Sequence, residues 1–285
     1  MKARLNKDPN MDQHQPDQHQ PVRLPLPLPE AFLEPRGPAI AFRYGRGRTG
    51  GTTFLDLNIQ LALAAGRMIL VGDGDRRNPT LSALYPSGGE CAVLPPPVSD
   101  ETADVKDWVT TSVGMAITER QSLMIDLSGG DRAMQEYGRD LGIVDLCQAH
   151  GFEPVGFFSC GPEMDDFDHI LAIWQAGYFR PRRSILVFNE HLILQGRTPI
   201  GAFDPILARP EFGDLVAAGM TPMFLPRLPC MGEMRRAGLS LLDAATGGLA
   251  QDGRPFDPVR QFMVRQFLSK VLAEYGRIGA LGWML

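Results

Sequence analysis

Apolar residues follow two rhythms along this chain. Short, nearly unbroken apolar runs occur at Ala39–Tyr44, Met68–Val71, Ser122–Leu127, Pro154–Ser159, Ser184–Phe188 and Thr221–Leu225. Such runs predict strands buried on both faces. Between them lie stretches with apolar residues three and four apart, the helical spacing. The first spans Gly51 to Ala65, with Phe54, Leu57 and Leu61 on one face. Others run from about Asp131 to His150 and from Met164 to Ala176. A broken helix spans Phe203 to Ala218 around Pro210, and short helices lie between Met231 and Ala245. Asn78-Pro79-Thr80-Leu81 reads as a capped short helix, Pro86 to Pro97 as a surface loop, and Trp108 to Ile117 fits neither rhythm. Strands alternating with helices predict an α/β fold, a mostly parallel twisted sheet with helices on both faces.

Proline changes the pattern at the start of the chain. Residues 1–37, rich in Gln, Pro, His and Asp, read as a disordered or polyproline-like tail outside the fold. His14 and His19 there read as solvated rather than metal-bound. The domain is expected over residues 38–285. It includes an amphipathic helix, Pro258 to Ile278, with a stripe at Val259, Phe262, Phe267, Val271, Tyr275 and Ile278. Apolar residues also on its flank favour packing against the sheet over lying on a membrane, so no membrane contact is expected. The last seven residues are left for a partner contact.

Composition narrows the class. Of 285 residues 44% are hydrophobic, ample for one core, and the net charge of −5 speaks against a globally basic nucleic-acid binder. The four cysteines are scattered without a C-x-x-C pair, which fits neither a zinc site nor a disulfide framework and suits a reducing cytoplasm. Neither a spanning apolar run nor the apolar core of a signal peptide is visible.

Candidate chemistry gathers at predicted strand ends. After the first strand comes Gly45-Arg46-Gly47-Arg48-Thr49-Gly50-Gly51-Thr52, which fits G-x-x-x-x-G-K-[ST] except that Gly51 stands at the lysine. Glycines let backbone N–H groups converge on a phosphate, and the following helix adds its unpaired N–H groups and dipole. Arg46 and Arg48 offer a substitute charge. The alternative is a tight turn and nothing more. Asp73 and Asp75, Asp126 followed by Gly129 and Gly130, and Asn189 close three further strands. Binding sites of open parallel sheets lie beyond these carboxyl ends. Each acidic residue also has a plain reading as a turn former or helix cap.

With these blocks in this order, residues 38–247 resemble the ParA/MinD family of deviant Walker P-loop ATPases. The resemblance implies a P-loop NTPase-like fold of the SIMIBI type. The family's K-G-G-x-G-K-[ST]-[ST] matches Arg46 to Thr53, its D-x-D-P-Q segment matches Asp73 to Arg77, and its Walker B strand matches Met124 to Leu127. Its adenine-reading asparagine matches Asn189, and its "I-P" strand end matches Leu225-Pro226. By resemblance, the loop from Gly45 to Thr53, Gly129, Gly130, Asn189 and Pro226 bind ATP or ADP. Thr52, Asp73 and Asp126 serve Mg2+, and Asp75 orients the attacking water. Arg46 takes the place of the lysine that reaches the partner's nucleotide. The implied partners are a second copy in a nucleotide-dependent homodimer, a protein or cargo adaptor, and non-specific DNA met by the clusters Arg76-Arg77, Arg180-Arg182-Arg183 and Arg235-Arg236.

Two functions follow. One is an ATP-dependent dimerisation switch in plasmid partition, conjugal transfer or intracellular positioning, with weak or absent hydrolysis because the lysine is missing. The other is a non-enzymatic scaffold, a pseudo-ATPase on the same fold. Cys160 reads as a buried thiol, and His169 and His191 as isolated histidines.

Overall fold

A computed structural model describes residues 27–85, 91–127, 131–194, 198–199 and 201–284. A short helix α1 (Glu30–Leu33) precedes strand β1 (Ala39–Tyr44), helix α2 (Gly51–Ala64), β2 (Ile69–Asp73) and α3 (Thr80–Leu84). Then come β3 (Ala92–Val93), α4 (Thr102–Glu119), β4 (Ser122–Asp126), α5 (Asp131–Leu141), α6 (Ile143–Ala149), β5 (Glu153–Cys160) and α7 (Met164–Ala176). The chain continues through β6 (Arg183–Asn189), a 3-10 turn (Glu190–Leu192), α8 (Asp204–Leu207), α9 (Pro210–Ala217) and β7 (Met220–Leu225). It closes with α10 (Met231–Arg236), α11 (Leu241–Thr246) and α12 (Pro258–Arg277).

Among the described residues the strands form one seven-stranded sheet in the order β3-β2-β4-β1-β5-β6-β7. Every neighbouring pair is parallel. The sheet is thus the predicted α/β architecture, with β1 and the loop behind it near the centre. Successive side chains of a strand face opposite ways, and the apolar residues divide accordingly. Ala39 and Ala41 of β1 pack with α2, α11 and α12, whereas Ile40, Phe42 and Tyr44 pack with α4 and α7. Both faces are covered, which is why the strands read as continuous apolar runs.

Four expectations need correction. The fold begins before Pro38. Pro29 opens the turn of α1, Phe32 is fully buried, and the Arg36 guanidinium donates to the Leu281 and Met284 carbonyls. The rest of the tail, including His14 and His19, lies outside the described residues. The segment around Trp108 is the 18-residue helix α4. Its Val and Thr content lowers helix propensity, but Val105, Trp108, Val109, Ser112, Val113 and Ala116 lie buried at helical spacing.

The stripe of α12 is Val264, Phe267, Leu268, Val271, Leu272 and Tyr275. Val259 and Phe262 are instead exposed, at 64% and 59%. The five-residue step from Phe262 to Phe267 turns about 140° around a helix of 3.6 residues per turn, so the two cannot share a face. Finally, the last residues belong to the core: Ala280 and Met284 are fully buried beneath α1 and α12. Among the described residues no helix is long and apolar enough to cross a membrane.

Candidate phosphate-binding site

The alternation that builds the sheet also builds the site. On the α2 face, five neighbouring strands end in, or one residue short of, a polar side chain. In sheet order these are Asp73 of β2, Asp126 of β4, Arg43 of β1, Ser159 of β5 and Asn189 of β6. All are buried, at 1–4% exposure. A polar row this dry demands partners from the loop above it.

The loop supplies those of Arg43 and Asn189. The Thr49 hydroxyl donates to the Arg46 carbonyl at 2.8 Å and accepts from the Arg43 guanidinium at 3.1 Å. The same Arg43 nitrogen donates to the Arg46 carbonyl at 3.2 Å. From the other side Asn189 Nδ2 donates to the Thr49 carbonyl at 3.0 Å. Gly50 is left-handed at φ 82°, and a Cβ there would lie 2.1 Å from that amide nitrogen. Gly50 therefore answers to both backbone and space. Arg48 is left-handed too, at φ 69°, at a cost on the order of 1 kcal/mol for a residue with a side chain. Phe54 is the residue whose N–H first bonds back along the helix, to the Gly50 carbonyl. The N–H groups before it form the open end of α2, which is 14 residues long.

Thr52 and Asp126 meet here. Thr52 Oγ1 donates to Asp126 Oδ2 at 2.6 Å. Asp126 Oδ1 lies 3.6 Å from Arg43 Nη1, both side chains almost fully buried. Arg43 and Asp126 are register partners across β1 and β4, so the pairing is set by the sheet. Sequence reading missed Arg43. Its signal was present: Ala39, Ala41 and Arg43 share one parity, and a charge on a buried face stands out against two alanines.

Arg43 also explains the departure at position 51. A Cβ built on Gly51 would lie 1.7 Å from Arg43 Nε, 2.5 Å from Cζ and 2.7 Å from Cδ. The arginine occupies the volume that a side chain at 51 needs.

The other expected residues are placed less uniformly. Asp73 accepts from the Asp75 N–H at 3.0 Å and the Ser82 N–H at 2.8 Å. Burial raises its pKa, helped by the nearby Asp126 and opposed by those hydrogen bonds. Asp75 Oδ1 accepts from the Arg77 and Asn78 N–H groups. Both aspartates thus shape the turn into α3. Arg46 points to α7, 3.5 Å from Asp165 and from Asp166 within the same chain. Arg48, Gly50, Thr53, Asn189 and Pro226 line a cavity of about 220 Å3 beside the loop, together with His191 and Arg235. Burial and the neighbouring Arg227 and Arg235 lower the His191 pKa. Gly129 and Gly130 lie outside the described residues. Cys160 is fully buried and its thiol pKa is raised by burial, the opposite of an activated nucleophile.

Magnesium was expected on Thr52, Asp73 and Asp126. Among the described residues no cluster of three His, Cys, Asp or Glu side chains is placed to hold a metal. The Thr52–Asp126 oxygen pair nonetheless fits Mg2+, which takes one or two carboxylates and completes its shell with water and phosphate oxygens. Asp73 accepts from two backbone N–H groups and is the register partner of Asp126 across β2 and β4.

No protein-family model matches the chain, and no curated protein sequence matches it either. Solved structures resemble it in part. The signal recognition particle receptor FtsY from Elizabethkingia anophelis is 14% identical, with a TM-score of 0.44 over 83% of this chain and 69% of that one. FtsY from Thermotoga maritima is 13% identical, with a TM-score of 0.44 over 88% of this chain and 72% of that one. FlhF complexed with GMPPNP and Mg2+ is 16% identical, with a TM-score of 0.42 over 70% of this chain and 71% of that one.

Proposed function

We propose that the chain is a nucleotide-dependent switch. It binds magnesium-ATP at the Gly45–Thr53 loop, associates with a second copy of itself, and turns nucleotide over slowly or not at all. The observation that carries this is the 2.6 Å hydrogen bond between Thr52 and Asp126. It joins two hard oxygens at the open end of α2, beneath a glycine loop, where a metal-bound triphosphate is best held. The cavity bounded by Asn189 and Pro226 lies beside the loop and offers a place for the base. Weak turnover follows from Gly51, and from Asp75, whose carboxylate accepts two backbone N–H groups of its own turn. Association would redirect Arg46, half exposed and lying 3.5 Å from the exposed Asp165 and the buried Asp166, toward a partner's phosphates. Plasmid partition, conjugal transfer or intracellular positioning is the setting that the family resemblance gives such a switch.

A second reading has its own observation. Arg43 donates into the loop, and a guanidinium filling that space suits a scaffold with an empty loop. Calorimetric titration of the full chain separates the two. Slowly hydrolysed imido analogues of ATP and GTP are added with and without magnesium, and light scattering reports the mass. Magnesium-dependent binding of the ATP analogue with a doubling of mass supports the switch. No heat with either analogue supports the scaffold.

A further inference from the structure

We infer that Arg43 supplies the phosphate-facing charge of this loop, delivered from the end of β1 in place of the lysine that position 51 lacks. The inference rests on the reading of the loop as a nucleotide site and names the source of its positive charge.

Space is the first argument. With Arg43 Nε 1.7 Å from where a Cβ on Gly51 would sit, the two positions cannot both carry side chains. Arginine at 43 and glycine at 51 are therefore one feature. The guanidinium starts against the first residue of α2 and ends at the Arg46 carbonyl and the Thr49 hydroxyl, within the loop. A lysine side chain leaving position 51 toward the loop would cross the same volume.

Hydrogen bonding is the second. Among the described residues Arg43 Nε is a buried donor without an acceptor, on a side chain only 4% exposed. Buried donors without partners are uncommon in folded proteins. This one sits beside the open N–H groups of α2, where an anion's oxygen would complete it.

Charge is the third. Arg46 is turned to Asp165 and Asp166, and Arg48 lines the neighbouring cavity. Arg43 lies beneath the loop itself, and its planar, forked guanidinium has the geometry that suits phosphate oxygens.

The test is titration of the full chain and three variants with the magnesium complexes of imido-ATP and imido-GTP, each variant checked for folding by its thermal melt. Arg43→Met keeps an apolar stem and removes the charge. Arg43→Ala combined with Gly51→Lys moves the cation from strand to helix. Gly51→Lys alone places both side chains in one volume. We expect Arg43→Met to lose about tenfold to a hundredfold in affinity, the worth of one charge-assisted hydrogen bond. The double variant should recover to within about tenfold of the parent, and Gly51→Lys alone should bind worse than the parent. Should Arg43→Met fail to fold, the double variant decides, because it carries the cation on the helix. Parent-like binding by Arg43→Met overturns the inference while leaving the nucleotide site standing. Tighter binding by Arg43→Met makes the guanidinium a plug and overturns it as well. So does a double variant that stays silent while the parent binds. Silence from the parent with both nucleotides removes the nucleotide reading and this inference together.

Discussion

Adding one methyl group at position 51 should be among the most damaging small substitutions in this protein. In Gly51→Ala the new Cβ meets Arg43 at Nε, Cζ and Cδ, all closer than 3 Å. Two of these atoms lie in the middle of the side chain, so a swing of its tip does not relieve the contact. The whole side chain must leave a pocket where it is 4% exposed. Leaving removes the hydrogen bonds to the Arg46 carbonyl and Thr49 hydroxyl and takes the ion-pair partner from Asp126, itself 1% exposed. Breaking a buried ion pair from one side costs about 3–5 kcal/mol. Alanine's better helix propensity returns about 1 kcal/mol. The net cost is then about 2–4 kcal/mol, and a domain of this size loses about 2–4 °C of melting temperature per kcal/mol. A thermal melt should therefore fall by about 4 to 16 °C. The control is the same substitution in an Arg43→Ala background, where the volume is empty. There Gly51→Ala should be neutral or slightly stabilising, a coupling that a double-mutant cycle reads directly. A parent-like melt for Gly51→Ala, or equal losses in both backgrounds, would refute the reasoning.

Two further predictions lie away from the loop. Asp56 of α2 is buried, accepts from the Tyr85 hydroxyl and Gln60, and has its pKa raised by burial despite those bonds. The folded state therefore binds the extra proton, and stability falls as pH rises from about 4, the unfolded value, through the folded one. Asp56→Asn keeps the acceptor, so its urea midpoint relative to the parent should climb across that window; a pH-independent difference would exclude this account. At the other end of the fold, Met284 is fully buried and its carbonyl accepts from Arg36 and Arg67. Met284→Ala should cost about 2–5 kcal/mol in chemical unfolding, and an unchanged midpoint would return these last residues to the role of a free partner contact.

Much of this was legible because the same physics writes the sequence and builds the sheet. Strands covered on both faces must be apolar throughout, so six of the seven announced themselves. The exception, β3, has only two residues and leaves no rhythm to read. Helix α4 was obscured by β-branched residues whose low propensity is overridden by burial of Val105, Trp108 and Val109. Helix α1 was hidden in a proline-rich run, where proline opens the turn instead of preventing it. The loop, Thr52 and Asp126 were visible as a motif. Arg43 was not, because a motif search starts at the first glycine and the residue that matters lies two positions earlier. Nor does a sequence reveal that Asp73 and Asp75 satisfy backbone N–H groups of the turn that follows them.

The placement of Arg43 at the end of β1 has a geometric reason. Parallel strands all deliver their carboxyl ends to one edge, and side chains of one parity face one helix. Five such ends converge beneath α2, but they are not equivalent. Arg43 is the register partner of Asp126 on β4, with β5 on its other side, and its own strand runs directly into the loop. A cation at the end of β2 would replace Asp73 and have to reach past Asp126, and one on β6 would displace the asparagine that holds the Thr49 carbonyl. The strand that carries the loop is thus the one whose penultimate side chain can enter it from below without breaking another member of the row. Glycine at 51 is the condition for that entry, so the glycine there and the strand-borne arginine form a single structural feature.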